Sequence, residues 1–193
     1  MLQFYKGTWI RLAWLVVLAA AVSGCSQMER RSHVQLDTVT SAQSQPLQGQ
    51  LSIKLNAWQN LPAKGMSFGF FFTGDTRQGL IDFSTPLGTL VAQVGWSEQE
   101  AWTTNQDGRT RYDNIDDLSI ATLGEIVPIR SLTHWMHGQA DPSQPSSQTD
   151  IAGIFQQAGW QIDLRQYAEQ RIQATREPTA TQRGIHIKIY LDR

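Results

Sequence analysis

The sequence has 193 residues, with 16 basic and 17 acidic side chains, and 40% of its residues are hydrophobic. This length suits one domain with its own hydrophobic core, and the near-neutral charge, without a basic cluster, argues against binding to nucleic acid or to anionic lipid headgroups. Any attachment to a membrane should therefore be apolar or covalent.

Residues 1–24 are typical of a bacterial lipoprotein signal peptide that is removed on maturation. Lys6 and Arg11 provide its positive start, and the apolar run at 12–22 has 11 residues, too short for a transmembrane helix, which needs about 20. Small residues then precede Cys25, as in a lipobox, where the cysteine becomes the first mature residue and carries lipid. An unmodified thiol behind an ordinary cleavage site is the less favoured alternative. Since Cys25 is the only cysteine, no disulfide is expected.

Residues 25–48 are predicted to be a flexible linker, because they are rich in Ser and Gln and contain few large apolar residues. A coil of this length has a root-mean-square span of roughly 25 Å. Ser26 stands where an Asp would retain a lipoprotein at the inner membrane, which predicts sorting to the outer membrane.

Residues 49–193 are predicted to form a mainly antiparallel β domain. Apolar and polar residues alternate at 51–55, 66–72 and 185–191, which indicates strands with one buried face. Further strands are predicted at 80–84, 89–94, 101–104, 109–112, 151–155, 160–165 and 171–176. Residues 141–148, with two Pro and several Ser, are predicted to be a surface loop. Eight to eleven strands around one apolar face favour a barrel or a strongly curved sheet.

Two short amphipathic helices interrupt the strands. The first is capped by Asp113 or Asn114 and ends at Gly124, and the second begins at Pro128 and ends at Gly138. Their position between the two halves of the sheet suggests a lid or plug.

The turn between the strands at 80–84 and 89–94 carries Leu87 between Pro86 and Gly88. An exposed Leu forgoes roughly 1.5–3 kcal/mol of burial, and a turn apex more often carries Asn, Asp or Ser. Either the turn folds inward and Leu87 joins the core, or Leu87 meets something apolar outside the protein.

Three patterns that could indicate an enzyme are weak. Ser67 lies in a literal Gly-x-Ser-x-Gly pattern but within a β-rich run, whereas a nucleophile elbow needs a strand, a turn and a helix. His134 and His137 could be metal ligands on one helix, yet no third ligand is evident. The Asp116-Asp117 pair fits the first turn of a helix better than acid and base catalysis. No enzyme activity, metal or cofactor is therefore predicted.

Several segments together resemble the LolB family of outer-membrane lipoprotein receptors. The resemblance rests on the lipobox at Cys25 and on the segments 49–52, 68–72, 84–89, 107–108, 127–138 and 155–160. The most specific part is the Pro86-Leu87-Gly88 turn followed by a helix that carries Leu132 and Trp135. The resemblance covers essentially the whole mature domain in the same order.

The resemblance implies a half-open antiparallel β-barrel, with the helices as lid or plug over an apolar cavity that accepts acyl chains. A monomer of this kind would take acylated lipoproteins from a soluble, LolA-like periplasmic carrier and insert them into the outer membrane, to which it is itself anchored by lipid on its periplasmic face. The resemblance assigns the insertion step to Leu87 in its loop. The predicted cavity residues are Leu51, Ile53, Phe68, Phe70, Phe72, Leu90, Leu132, Trp135, Met136, Trp160, Ile162, Ile187 and Ile189.

Two other functions stay open at this stage. A structural or envelope-assembly lipoprotein would use the same anchor with a solid core and no transfer activity. An envelope hydrolase would need the Ser67 hydroxyl within reach of a His and an Asp.

Overall fold

The computed structural model describes residues 45–192. The predicted signal peptide, Cys25 and residues 25–44 of the predicted linker lie outside the described residues. The first strand begins at Leu47, two residues before the predicted start of the domain.

Antiparallel strands form one sheet across the described part of the chain. In chain order they are β1 (Leu47–Leu55), β2 (Lys64–Gly74), β3 (Gly79–Ser84), β4 (Leu90–Trp96), β5 (Ala101–Asn105), β6 (Gly108–Tyr112), β7 (Ser146–Gln148), β8 (Ile154–Gln157), β9 (Trp160–Asp163), β10 (Arg171–Arg176) and β11 (Ile185–Leu191). Their spatial order is β6-β5-β4-β3-β2-β1-β11-β10-β9-β8-β7. Since β6 and β7 are the edges and do not pair, the barrel is half-open, and the predicted fold class is confirmed.

The centre of the sheet explains the clear alternation in the sequence. Leu51 of β1 pairs with Phe68 of β2 on one side and with Ile189 of β11 on the other. Because side chains alternate between faces, such rows place apolar residues of successive strands on the concave face. Large side chains there pack in pairs, as in the stacked rings of Phe72 and Trp96, with centroids 5.8 Å apart.

Two α-helices cross the concave side, α1 (Ile115–Leu123) and α2 (Ile129–Met136). The Asn114 Oδ1 atom accepts hydrogen bonds from the backbone N–H groups of Asp116 and Asp117, both 2.9 Å, so of the two predicted caps, Asp113 and Asn114, the structure selects Asn114. Gly124 ends α1 with φ +76°, as predicted. A short 3-10 helix, Tyr167–Glu169, precedes β10.

The prediction for residues 141–155 was partly wrong. Ser146–Gln148, predicted as loop, forms the edge strand β7, and β8 begins at Ile154 instead of Ile151. All three residues of β7 are exposed, so this strand forms through backbone pairing alone and has no apolar alternation to reveal it. Ile151 is half exposed in the turn before β8.

Candidate functional site

The loop between β3 and β4 is a short, hydrogen-bonded projection. The Thr85 N–H donates to the Thr89 carbonyl at 2.9 Å, and the Gly88 N–H donates to the Thr85 carbonyl, also at 2.9 Å. The Thr85 side chain accepts from the Thr89 N–H at 3.2 Å. Gly88 has φ +83°, a conformation that favours glycine. These bonds and the Pro86 ring restrain the backbone around Leu87.

Leu87 is 95% exposed at the apex of this loop. The alternative in which Leu87 folds into the core is therefore wrong. Leu90 and Val91 at the start of β4 are also exposed, so the apolar surface continues from the apex down one strand. A restrained loop that presents an unshielded leucine is suited to contact with an apolar phase.

Most residues predicted to line the cavity form one packed core. Leu87 and its neighbours are separate from it. Eleven of the thirteen are buried in a single cluster: Leu51, Ile53, Phe70, Phe72, Leu132, Trp135, Met136, Trp160, Ile162, Ile187 and Ile189. Phe68 is partly buried and packs against Phe83, with ring centroids 5.7 Å apart. Leu90 is exposed. The register of the β3–β4 ladder shifts between Phe83 and Ser84, so Leu90 pairs with Ser84 and lies on the opposite face of the sheet from Phe83.

Helix α2 occupies the concave face and is tied to the sheet by a buried polar network. Gln157 of β8 accepts a 2.9 Å hydrogen bond from the Trp135 Nε1–H, and its amide contacts both the N–H and the carbonyl of Asp141. Asp141 in turn accepts from the Ser131 hydroxyl at 2.7 Å. Sequence reasoning missed Asp141 and Gln157; a glutamine next to the apolar start of β8 was the one available signal.

The polar network favours the ionised form of the Asp141 carboxyl group. Its burial acts to raise its pKa, but hydrogen bonds from Ser143 and Ser131, together with the nearby His134, outweigh that effect and leave the pKa below its ordinary value. The His134 Nε2 atom lies 3.8 Å from Asp141 Oδ1. The network thus links α2 to the loop that follows it.

A second polar cluster fixes the turn between α1 and α2. Arg176 of β10 forms a buried ion pair with Glu125 and donates to the Ile126 carbonyl at 3.0 Å. Its guanidinium lies 5.4 Å from the centroid of the Trp160 ring. Since α1 and α2 meet at this turn, Arg176 holds both helices to the far half of the sheet.

A cavity of about 960 Å³ opens beside the start of both helices. Its lining mixes apolar groups such as Ile115, Ile129 and Trp160 with polar groups such as Arg176 and Gln157. Trp160 is the predicted cavity residue that borders it. The volume is that of a ligand pocket, but ten of the other predicted residues lie in the packed core, and Phe68 and Leu90 do not border this cavity either.

The residues considered for catalysis and metal binding do not form a catalytic or metal-binding site in the described part of the chain. Ser67 lies within the continuous strand β2 and pairs with Ser52, so the elbow geometry is absent at this serine. The His137 ring contacts the Thr133 carbonyl at 2.8 Å. Between residues 45 and 192, no group of three His, Cys, Asp or Glu side chains is placed to hold a metal ion. Nor does any helix in that range combine the length and apolar character needed to cross a membrane.

Comparison of the sequence with known proteins identifies a family. A family model described as outer membrane lipoprotein LolB matches residues 43–193. The chain belongs to the LolB family. It is therefore an outer-membrane lipoprotein of the lipoprotein localisation system, as the sequence resemblance implied.

Individual relatives agree at moderate identity. The chain is 29% identical over 175 residues to the outer-membrane lipoprotein LolB of Pseudomonas paraeruginosa, covering 83% of each chain. It is 25% identical over 182 residues to that of Chromobacterium violaceum, covering 93% of this chain and 96% of the relative. The match to LolB of Bordetella petrii is 33% over 108 residues and spans about half of both chains, 53% and 54%.

Proposed function

We propose that this LolB-family chain receives acylated lipoproteins from a soluble, LolA-like periplasmic carrier and inserts them into the outer membrane through the loop that carries Leu87. The observation that carries the proposal is the 95% exposure of Leu87 on a loop restrained by its own hydrogen bonds. Pro86 and Gly88 shape this loop. Lipid on Cys25 keeps the protein at the periplasmic face of the membrane.

The acyl chains of the cargo enter beside α2, where the 960 Å³ cavity at the start of the helices meets the core. Burial of an acyl chain contributes about 0.8 kcal/mol per CH₂, so a chain of ordinary length can offset the displacement of core side chains such as Trp135 and Met136. The two helices α1 and α2 act as the lid over the concave face, and the turn between them, held by Glu125 and Arg176, must move for the acyl chains to enter. Transfer without an external energy source requires this protein to bind the lipoprotein more tightly than the carrier does. Each tenfold difference in the dissociation constant corresponds to about 1.4 kcal/mol.

Receipt of the lipoprotein from the carrier and its insertion into the membrane are separate steps in the proposed function, because different residues perform them. The helices and the concave face accept the acyl chains, whereas the exposed loop contacts the bilayer. No bond is made or broken, so the transfer needs no catalytic group.

A handover assay tests the proposal. A carrier loaded with a labelled lipoprotein is mixed with the parent protein or with Leu87→Glu, and transfer to the protein and insertion into vesicles are scored separately. A carboxylate at the apex opposes entry into the apolar phase, so Leu87→Glu should accept cargo normally and insert little of it. Leu61→Glu, at a half-exposed leucine in the connection after β1, is the matched control and should insert normally.

Two outcomes would contradict the proposal. If the parent accepts nothing, the chain is an assembly lipoprotein with a solid core. If Leu87→Glu inserts cargo as fast as the parent, the loop has no membrane role even though the family assignment stands.

A further inference from the structure

A second cavity lies at the base of the Leu87 loop, on the convex face of the sheet. It has a volume of about 470 Å³ and is bordered by Phe71, Asp82, Leu90 and Asp192, together with the loop residues Pro86 and Gly88. It is distinct from the concave face that carries α2, because Phe71 is 43% exposed whereas Phe70 and Phe72 on either side are buried. We call this cavity the convex groove.

The convex groove exists because small residues lie beside large ones. Gly69 pairs with Gln50 on one side and with Ser84 on the other. A Cβ atom on Gly69 would lie 2.7 Å from the Ser84 Oγ atom. The absence of a side chain at Gly69 therefore leaves space at the bottom of the groove. The apolar sides of the groove are formed by Leu90 and by Phe71, which lies two residues after Gly69 on the same face of β2.

The charged residues of the groove are both acidic. Asp82 and Asp192 are the charged side chains among its lining, and no Lys or Arg borders it in the described residues. Asp82 aligns with Phe71, Phe71 with Gln48, and the Asp192 N–H donates to the Gln48 carbonyl. At about 4.8 Å per strand the two carboxylates are roughly 14 Å apart, so one small cation contacts only one of them.

The depth of the groove relative to Leu87 matches the layers of a bilayer. Asp82 precedes Leu87 by five residues, a distance of at most about 18 Å in extended chain. When Leu87 lies among acyl chains near the surface of the hydrocarbon core, an Asp82 within about 18 Å can reach the headgroups, which lie just outside that core.

We propose that the convex groove binds an amine-bearing phospholipid of the outer membrane while Leu87 is in the bilayer. This inference rests on the proposed function and adds the lipid that the loop meets. Asp82 pairs with the primary ammonium, and an acyl chain lies against Phe71 and Leu90. A primary ammonium donates hydrogen bonds to a carboxylate whereas a choline headgroup cannot, and an anionic headgroup is repelled.

Quenching by brominated lipids tests this proposal on the full-length lipidated protein in phosphatidylcholine vesicles. Ser67→Cys, on the exposed side of β2 beside the groove, receives a fluorophore, and the parent must take up none because Cys25 is acylated. Chain-brominated phosphatidylethanolamine, phosphatidylcholine or phosphatidylglycerol is then titrated over the same range of mole fractions. We expect phosphatidylethanolamine to be effective at about two- to fivefold lower mole fraction than phosphatidylcholine, the range that one partly exposed ion pair provides, and phosphatidylglycerol to be weakest.

Matched variants separate recognition from general membrane contact. Asp82→Asn keeps the side-chain shape, which accepts a 2.8 Å hydrogen bond from Gln93, and should reduce quenching by phosphatidylethanolamine to the level of phosphatidylcholine. A fluorophore at Thr110→Cys, exposed on β6, should show no headgroup preference. Circular dichroism of each variant should match the parent.

Three results would overturn the proposal. They are equal quenching at Ser67→Cys by all three lipids, a phosphatidylethanolamine preference that survives Asp82→Asn, and lipid-independent cross-linking of two copies through Ser67→Cys, which would assign the groove to a second copy. If Leu87→Glu blocks insertion while the headgroup preference is absent, the proposed function stands and the groove proposal fails.

Discussion

The indole N–H of Trp135 donates a 2.9 Å hydrogen bond to the side-chain oxygen of Gln157. Trp135 belongs to α2 and Gln157 to β8, and both side chains are buried. This contact is one of those that hold the helix across the concave face, where acyl chains would have to enter. The residues that secure α2 are therefore expected to control both stability and access.

Gln157→Leu should be strongly destabilising. The substitution removes the acceptor of Trp135 and the partner of the Asp141 backbone, and each buried group left without a partner costs about 1–3 kcal/mol. We expect the free energy of unfolding in urea to fall by about 2–5 kcal/mol. Gln156→Leu, at the exposed neighbouring position of β8, is the control and should change it by less than about 0.5 kcal/mol.

Asp141 should make the fold sensitive to acid. Its pKa is lower in the folded protein than the ordinary value near 3.8, so the unfolded chain binds its proton first as the pH falls. The stabilisation is therefore complete above about pH 5 and is lost as the pH falls through the folded pKa. Unfolding free energies between pH 7 and pH 3 should show a shallower acid decline in Asp141→Asn than in the parent. An equal decline in both would refute this assignment, and Asp113→Asn, which is exposed, should behave as the parent.

Glu125→Gln should loosen the lid. Arg176 would keep its hydrogen bonds to the Ile126 and Arg183 carbonyls but lose a charged partner, at a cost of about 1.5–3 kcal/mol. We expect a lower unfolding free energy and stronger fluorescence of a small apolar dye at concentrations where the protein stays folded. Arg165→Gln, which removes an exposed pair with Asp163, should cost about 0.2–1 kcal/mol without added dye binding. Unchanged dye binding in Glu125→Gln would mean that this ion pair does not restrain access.

Two glycines at helix ends offer a matched comparison. Gly138 and Gly124 have φ of +74° and +76°, so alanine strains both by about 1–2 kcal/mol. A Cβ on Gly138 would also lie 2.8 Å from the Tyr167 ring, whereas nothing lies within 4 Å at Gly124. Thermal unfolding should therefore show a larger loss for Gly138→Ala than for Gly124→Ala. Equal losses would show that the Tyr167 ring moves aside freely.

The sequence predicted the sheet well where one face is buried and poorly where neither is. The alternation of Ile185, Ile187 and Ile189 located β11 because burial selects apolar residues at every second position. The polar strand β7 has no such constraint and was missed. The position of α1 could be predicted from Asn114 and Gly124. Asn114 caps the helix through hydrogen bonds to neighbouring residues, and Gly124 ends it with a positive φ, so both effects depend only on nearby residues in the sequence.

The candidate site was predictable in part. The Leu87 turn could be located but its direction could not, since a leucine at an apex can either fold inward or project. Alternating apolar residues in β2 cannot distinguish a cavity wall from a core, because both require the same side chains on one face; the structure places Phe70 and Phe72 in the core. The contacts of Gln157 and Asp141 join residues 16 positions apart and left no periodic signal.

The depth of Leu87 in the bilayer decides whether its loop acts in insertion. Leu87→Cys, labelled with a fluorophore in the full-length protein on vesicles, is exposed to quenchers placed at different depths along the lipid chains. If the loop enters the bilayer, shallow acyl-chain quenchers should quench this label strongly and a water-soluble quencher weakly, with the reverse for a label at Thr110→Cys. Equal access of the water-soluble quencher to both labels would show that the Leu87 loop stays in water, and would contradict the proposed role in insertion.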